Sequence, residues 1–158
     1  MLFWFVATAV LSVYFVFNDP RFDYRLLLVG ALLPDVLDIP FGRAAWAHSV
    51  TVSVAVLALV MVVTAGRKPI RRLLLGLPIG MLMHLVWDGA FTLTTSFWWP
   101  FSGDWGSAAV PSVGRGWWNI PLELVGILLV RHWWRRFGLA EASRRTDFTR
   151  SGVLVATA

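Results

Sequence analysis

Apolar residues run through this chain in long unbroken stretches, without the every-third-or-fourth spacing of a half-buried soluble helix or the alternation of a strand. Met1 to Phe17 carries no charge and would rise about 25 Å as a helix, just short of a ~30 Å hydrocarbon core. A cleaved signal peptide is the rival reading of this stretch, but no basic residues precede it and it ends at Asn18-Asp19-Pro20 without a small-residue cleavage site. Leu26 to Phe41 is apolar except for Asp35 and Asp38 and is interrupted by Pro34 and Pro40, which predicts a short second span that unwinds at its outer end. Ser49 to Ala65 is uncharged and stops at Gly66, before Arg67, Lys68, Arg71 and Arg72. From Leu73 to Phe97 the only ionisable residues are His84 and Asp88. Pro121, well suited to a first helical turn, opens a fifth stretch that runs through Val130 into Arg131-His132-Trp133-Trp134-Arg135-Arg136.

The pattern predicts an all-α, polytopic integral membrane bundle of about five transmembrane helices. One membrane-embedded domain would occupy residues 1–137, followed by a short basic cytoplasmic tail over 138–158. With the N-terminus outside and the C-terminus inside, twelve of the fourteen Lys and Arg residues fall on the inner side and only Arg43 and Arg115 outside, as cytoplasmic enrichment in basic residues requires. That orientation implies a multi-pass protein of the inner (plasma) membrane. Trp4, Trp46, Trp98, Trp99, Trp105, Trp117 and Trp118 then mark the outer boundary, and Trp133 and Trp134 the inner one.

Composition agrees with an apolar solvent. Hydrophobic residues make up 58% and charged residues 15%, against 45–50% and ~25% in ordinary soluble domains. The net charge of +5 comes from arginines scattered between apolar runs, not from a basic patch on a polar domain, so no nucleic-acid partner is expected. There is no Cys, which removes disulfides, thiolate metal sites and Cys nucleophiles. Chemistry is left to His, carboxylates and hydroxyls.

Ionisable groups inside apolar stretches are costly and call for a partner or a cavity. Counting from Arg72, His84 lies roughly 18 Å and Asp88 roughly 24 Å along a helix. Asp35 and Asp38 close the second stretch, His48 opens the third, and Glu123 falls in the first turn of the fifth. All six converge on one level from four segments. His84 and Asp88 are four residues apart and Asp35 and Asp38 three, so each pair shares a helix face. Gly76 and Gly80 continue the His84–Asp88 row downward, which predicts close packing below a polar pocket. His nitrogen with carboxylate oxygen suits a divalent ion, zinc or manganese above others. His132 sits among the basic residues at the other level and is excluded. Arg43 and Arg115 are candidates for binding an anionic or phosphate-bearing substrate; for each, a plain interfacial anchor is the competing reading.

The ordered blocks Leu32-Leu33-Pro34-Asp35-Val36-Leu37-Asp38, Ala47-His48-Ser49, Gly80 through His84 to Asp88, and Trp98-Trp99-Pro100-Phe101 resemble those of the membrane-bound metal-dependent hydrolases, a family that includes DNA-damage-induced bacterial inner-membrane proteins. The resemblance covers residues 30 to 101. It implies that Asp35, Asp38, His48, His84 and Asp88 are metal ligands or their close partners. The chain departs from the family pattern in having no His before His48, Arg43-Ala44 in place of an earlier His, and two residues between the aspartates.

The polar cluster predicts a metal site, and the resemblance implies a metal-dependent hydrolase in which metal-activated water attacks an ester or phosphoester near the outer leaflet, a lipid being one candidate substrate. The expected ligands are His48, His84, Asp88 and Asp35, with Asp38 or Glu123 as base or supporting partner. The alternatives are a non-catalytic metal-binding or structural membrane protein, and a small transporter. Against transport, nothing polar continues from Leu73 to Met83 toward the inner face.

Overall fold

The computed structural model describes residues 1–102 and 115–156. Asp104 and Trp105, expected in an outer loop and at the membrane boundary, lie outside the described residues. Regular structure is entirely helical among the described residues.

The uncharged first stretch forms helix α1, Leu2–Phe17, which ends where Asn18 adopts a left-handed conformation (φ 44°), a turn Asn tolerates better than other side chains. The second stretch forms two six-residue helices, α2 (Arg25–Gly30) and α3 (Leu33–Asp38), the latter with Pro34 in its first turn. Helix α4 spans Val50–Val63 behind a Ser49 N-cap whose hydroxyl accepts from the Thr51 amide. Helix α5, Lys68–Trp87, is the longest, and a short helix α6, Thr94–Phe97, follows it. Helix α7, Asn119–Arg136, runs parallel to α1: Gly126 abuts Trp4, and Phe137 stacks edge-on to Tyr14 at 5.2 Å. Helix α5 runs antiparallel to α1, with His84 against Phe5 near the start of α1 and Gly76 beside Asp23, just beyond its end.

The core gathers Ala9, Val10 and Val13 of α1, Leu27 of α2, Ala31, and Trp133 and Phe137 from the end of α7. Residues 138–156 are not a free tail. Leu139 and Leu154 are buried in this core, and helix α8, Ala142–Ser151, docks by its C-terminal end. There Arg25, held by Asp23 at 2.6 Å, donates to the carbonyls of Thr149 and Arg150, a cation placed at the negative end of a helix.

The five-span bundle is overturned. Among the described residues only Lys68–Trp87 is long and apolar enough to cross a membrane. The second predicted span is two short helices of about 9 Å each. Leu2–Phe17 and Val50–Val63 stop at 16 and 14 residues, and α7 carries Glu123, Arg131, Arg135 and Arg136 within its 18 residues. The inside–outside assignment that rested on five crossings falls with them.

Candidate metal centre

Three backbone features bring the ionisable residues together. First, α3 places Asp35 and Asp38 one turn apart, and the chain then reverses through Ile39–Phe41 and Gly42, whose left-handed φ of 62° suits a residue without a side chain. Second, the fully buried small residues Ala44, Ala45 and Ala47 let the Trp46–His48 turn pack against α3, and Ser49 anchors it by donating to the Trp99 carbonyl at 2.6 Å. Third, α2 lies almost in van der Waals overlap with α5. A Cβ on Gly80 would stand 2.7 Å from the Ala31 amide, and one on Gly76 2.8 Å from that of Leu27. This close packing carries the Ala31 carbonyl to His84.

Each imidazole is fixed through Nδ1. His48 Nδ1 lies 2.6 Å from Asp38 Oδ2, which also accepts from the Ala45 amide at 2.7 Å. His84 Nδ1 lies 2.8 Å from the Ala31 carbonyl oxygen. An ionised carboxylate and a carbonyl can only accept, so both Nδ1 atoms carry the proton and both Nε2 atoms face inward. The two rings are 5.4 Å apart between centroids. Asp35 Oδ1 sits between them, 3.4 Å from His48 Nε2 and 3.6 Å from His84 Nε2, while Asp88 Oδ2 is 3.9 Å from His48 Nε2. His48 Nε2, His84 Nε2, Asp38 Oδ1 and Asp88 Oδ2 are buried without a hydrogen-bond partner, which is costly unless something else satisfies them.

The electrostatics follow from this packing. Burial alone would lower the His48 pKa, but the neighbouring Asp35 and Asp38 carboxylates raise it to about 9. Burial alone would raise Asp35, but His48 and His84 hold it well below the usual carboxylate range. The cluster therefore holds the Asp35 carboxylate ionised beside two inward-facing imidazole nitrogens. Asp35, His48 and His84 present ligand atoms within 4.8 Å of one another and form a group that could hold a metal ion. The orphaned Nε2 atoms are the fit a divalent ion requires, and the carboxylate and carbonyl behind them are the outer partners that orient ligating imidazoles.

The other expected site residues are placed differently. Asp38 lies behind His48 and is spent on orienting it. Glu123 is not part of the cluster's contacts: its Oε1 accepts from the amides of Leu2 and Phe3 at 3.1 Å and its Oε2 from Trp4 at 3.2 Å. It caps α1, satisfying amides that no residue within that helix can reach. Arg115 donates to the Asp88 carboxylate and, at 2.8 Å, to its carbonyl, so it neutralises a cluster carboxylate. Arg43 is exposed and is not a partner of any cluster carboxylate among the described residues. His132 is exposed at the far end of α7. Sequence reasoning missed the Ala31 carbonyl, a backbone group with no signature beyond the Gly76 and Gly80 spacing that admits it. Comparison with protein-family models, with curated proteins and with solved structures finds no match to this chain.

Proposed function

We propose that this chain is a metal-dependent hydrolase of an ester or phosphoester, working at a membrane. The observation that carries the reading is the pair of buried, unpartnered Nε2 atoms of His48 and His84 turned onto Asp35 Oδ1. His48, His84 and Asp35 would hold one divalent ion, zinc or manganese by donor type, with Asp88 as a second carboxylate nearby. Such an ion supplies Lewis acidity toward water and toward the substrate's carbonyl or phosphoryl oxygen. Asp38 and the Ala31 carbonyl hold the imidazoles in one tautomer. Asp88 Oδ2, buried and unpartnered, is the acceptor positioned to take a proton from the attacking water, the role the sequence had assigned to Asp38 or Glu123. Asp35, 29% exposed where His48, His84 and Asp88 are sealed, marks the side from which substrate enters, and Arg115 borders it with a partly exposed guanidinium. The motif resemblance to membrane-bound metal-dependent hydrolases supports the same chemistry. Membrane attachment is supported by α5 and by large apolar side chains left exposed on α1, α4 and α7, including Phe15, Val62 and Leu128.

Purified protein assayed on a chromogenic phosphodiester and a chromogenic carboxylate ester tests this. Turnover of either one that is abolished by chelation, restored by zinc or manganese and lost in His84→Ala supports hydrolysis. A protein that binds the metal yet turns over neither supports the second reading, a non-catalytic metal-binding protein. That reading draws on the Arg115 guanidinium, which engages the Asp88 carboxylate and weakens it as a base.

A further inference from the structure

The end of the fold opposite the His/Asp cluster carries a second grouping of functional side chains. Helix α7 leaves the cluster end at Asn119 and finishes beside the C-terminal half of α1, where Phe137 meets Tyr14. On its outward face, Arg131 and Arg135 are one turn apart, as are His132 and Arg136, and these four with Leu128 line a groove of about 450 Å³. Trp133 and Phe137, on the opposite face, are buried, so the helix is rotationally fixed with its basic side outward. The neighbouring acidic residue on α7 is Glu123, two turns away and occupied by the α1 amides. Among the described residues no carboxylate lines the groove.

Immediately toward the cluster end, the same face changes character. Ile120, Leu124 and Leu128 follow at four-residue steps and are 65%, 57% and 64% exposed. The surface thus runs, over three turns and about 16 Å, from bare aliphatic side chains to four clustered basic ones, with Trp134 half-exposed beside them. An apolar stripe ending in basic groups and a Trp is complementary to an acyl chain ending in a negatively charged phosphate. Arg67, Lys68, Arg71 and Arg72, at the start of α5, lie at this same end of the fold because α5 and α1 are antiparallel.

We propose that the Arg131–Arg136 groove binds the headgroup phosphate of an anionic membrane lipid, whose acyl chain lies along Leu124 and Leu128. Bidentate guanidinium contacts to phosphate oxygens hold the headgroup, and the aliphatic stripe supplies the affinity that a free phosphate lacks. The assignment is independent of the metal centre at the other end of the fold.

The test is thermal unfolding of the full chain in a neutral detergent, titrated separately with phosphatidylglycerol, phosphatidylcholine, inorganic phosphate and a single-stranded oligonucleotide. Saturable stabilisation by phosphatidylglycerol is expected, with half-saturation weakened about tenfold or more in Arg131→Gln/Arg135→Gln, at ~1 kcal/mol for each basic residue. The charge-matched control Arg43→Gln/Arg150→Gln should keep the wild-type response. All four replaced residues are exposed, and native circular dichroism of both variants verifies the fold. Equal stabilisation by phosphatidylcholine, an unchanged response in Arg131→Gln/Arg135→Gln, or an equal loss in the control overturns the proposal. So does stabilisation by inorganic phosphate or by the oligonucleotide that matches or exceeds that by phosphatidylglycerol.

Discussion

Asp38 Oδ2 lies 2.6 Å from His48 Nδ1, and both side chains are 1% exposed. The carboxylate fixes the tautomer and the ring plane of the imidazole, so that Nε2 faces Asp35 and Asp88. Replacing Asp38 by Asn keeps the shape but removes the charge that sustains this arrangement. The expected result is a zinc affinity lowered 10- to 100-fold, the usual cost of losing an outer partner of a ligating His, measured by competition against a chromophoric chelator. Unchanged affinity would show that His48 needs no such support.

Glu123 accepts from three amides at the start of α1 and so acts on stability. Glu123→Ala should lower unfolding free energy by about 1–2 kcal/mol, the range for losing a helix N-cap, in chemical denaturation. Metal content and any hydrolytic turnover should stay at the wild-type level. A variant of wild-type stability that has lost turnover would return Glu123 to the chemistry.

Gly80 lets α2 approach α5 so closely that the Ala31 carbonyl reaches His84. In Gly80→Ala the new methyl meets backbone, which cannot swing aside. A loss of about 1–3 kcal/mol is expected from overpacking, accompanied by weaker metal binding as Ala31 withdraws from His84 Nδ1. Wild-type stability together with wild-type affinity would contradict the packing account.

Tyr24 sets an alkaline limit. It is 3% exposed, and burial, assisted by Tyr14 and Asp19, pushes its hydroxyl from 10.0 up to about 12. The folded state therefore holds this proton more tightly than the unfolded chain. The resulting stability is complete below pH 10 and is lost as pH rises toward 12. Denaturant midpoints followed across that window should fall in the wild type and fall less in Tyr24→Phe; parallel curves would remove Tyr24 from the explanation.

What could be read from the sequence differs between the cluster and the scaffold. His84 and Asp88 share a helix face by spacing alone, and the depth argument brought Asp35, Asp38 and His48 to the same level, where the structure also gathers them. Depth says nothing about direction around a helix axis, however, and Glu123 sits at that level while facing α1. Hydropathy failed for a related reason. It measures how apolar a stretch is, and Leu26 to Phe41 is apolar whether it forms one span or, as here, two six-residue helices hinged at Ala31 and Leu32. The fold-back of 138–156 was hidden because α8 is polar overall: Leu139 and Leu154 at its two sides are buried in the core, and within the helix Phe148 packs against it.

The central claim is that His48 and His84 share one ion with Asp35. X-ray absorption at the zinc edge of the zinc-loaded, gel-filtered full chain tests it most directly. One zinc per chain is expected, with two imidazole nitrogens and carboxylate oxygen in its shell, and one imidazole fewer in a zinc-retaining His48→Ala or His84→Ala variant. Loss of zinc on gel filtration, or a shell without imidazole, would contradict the account.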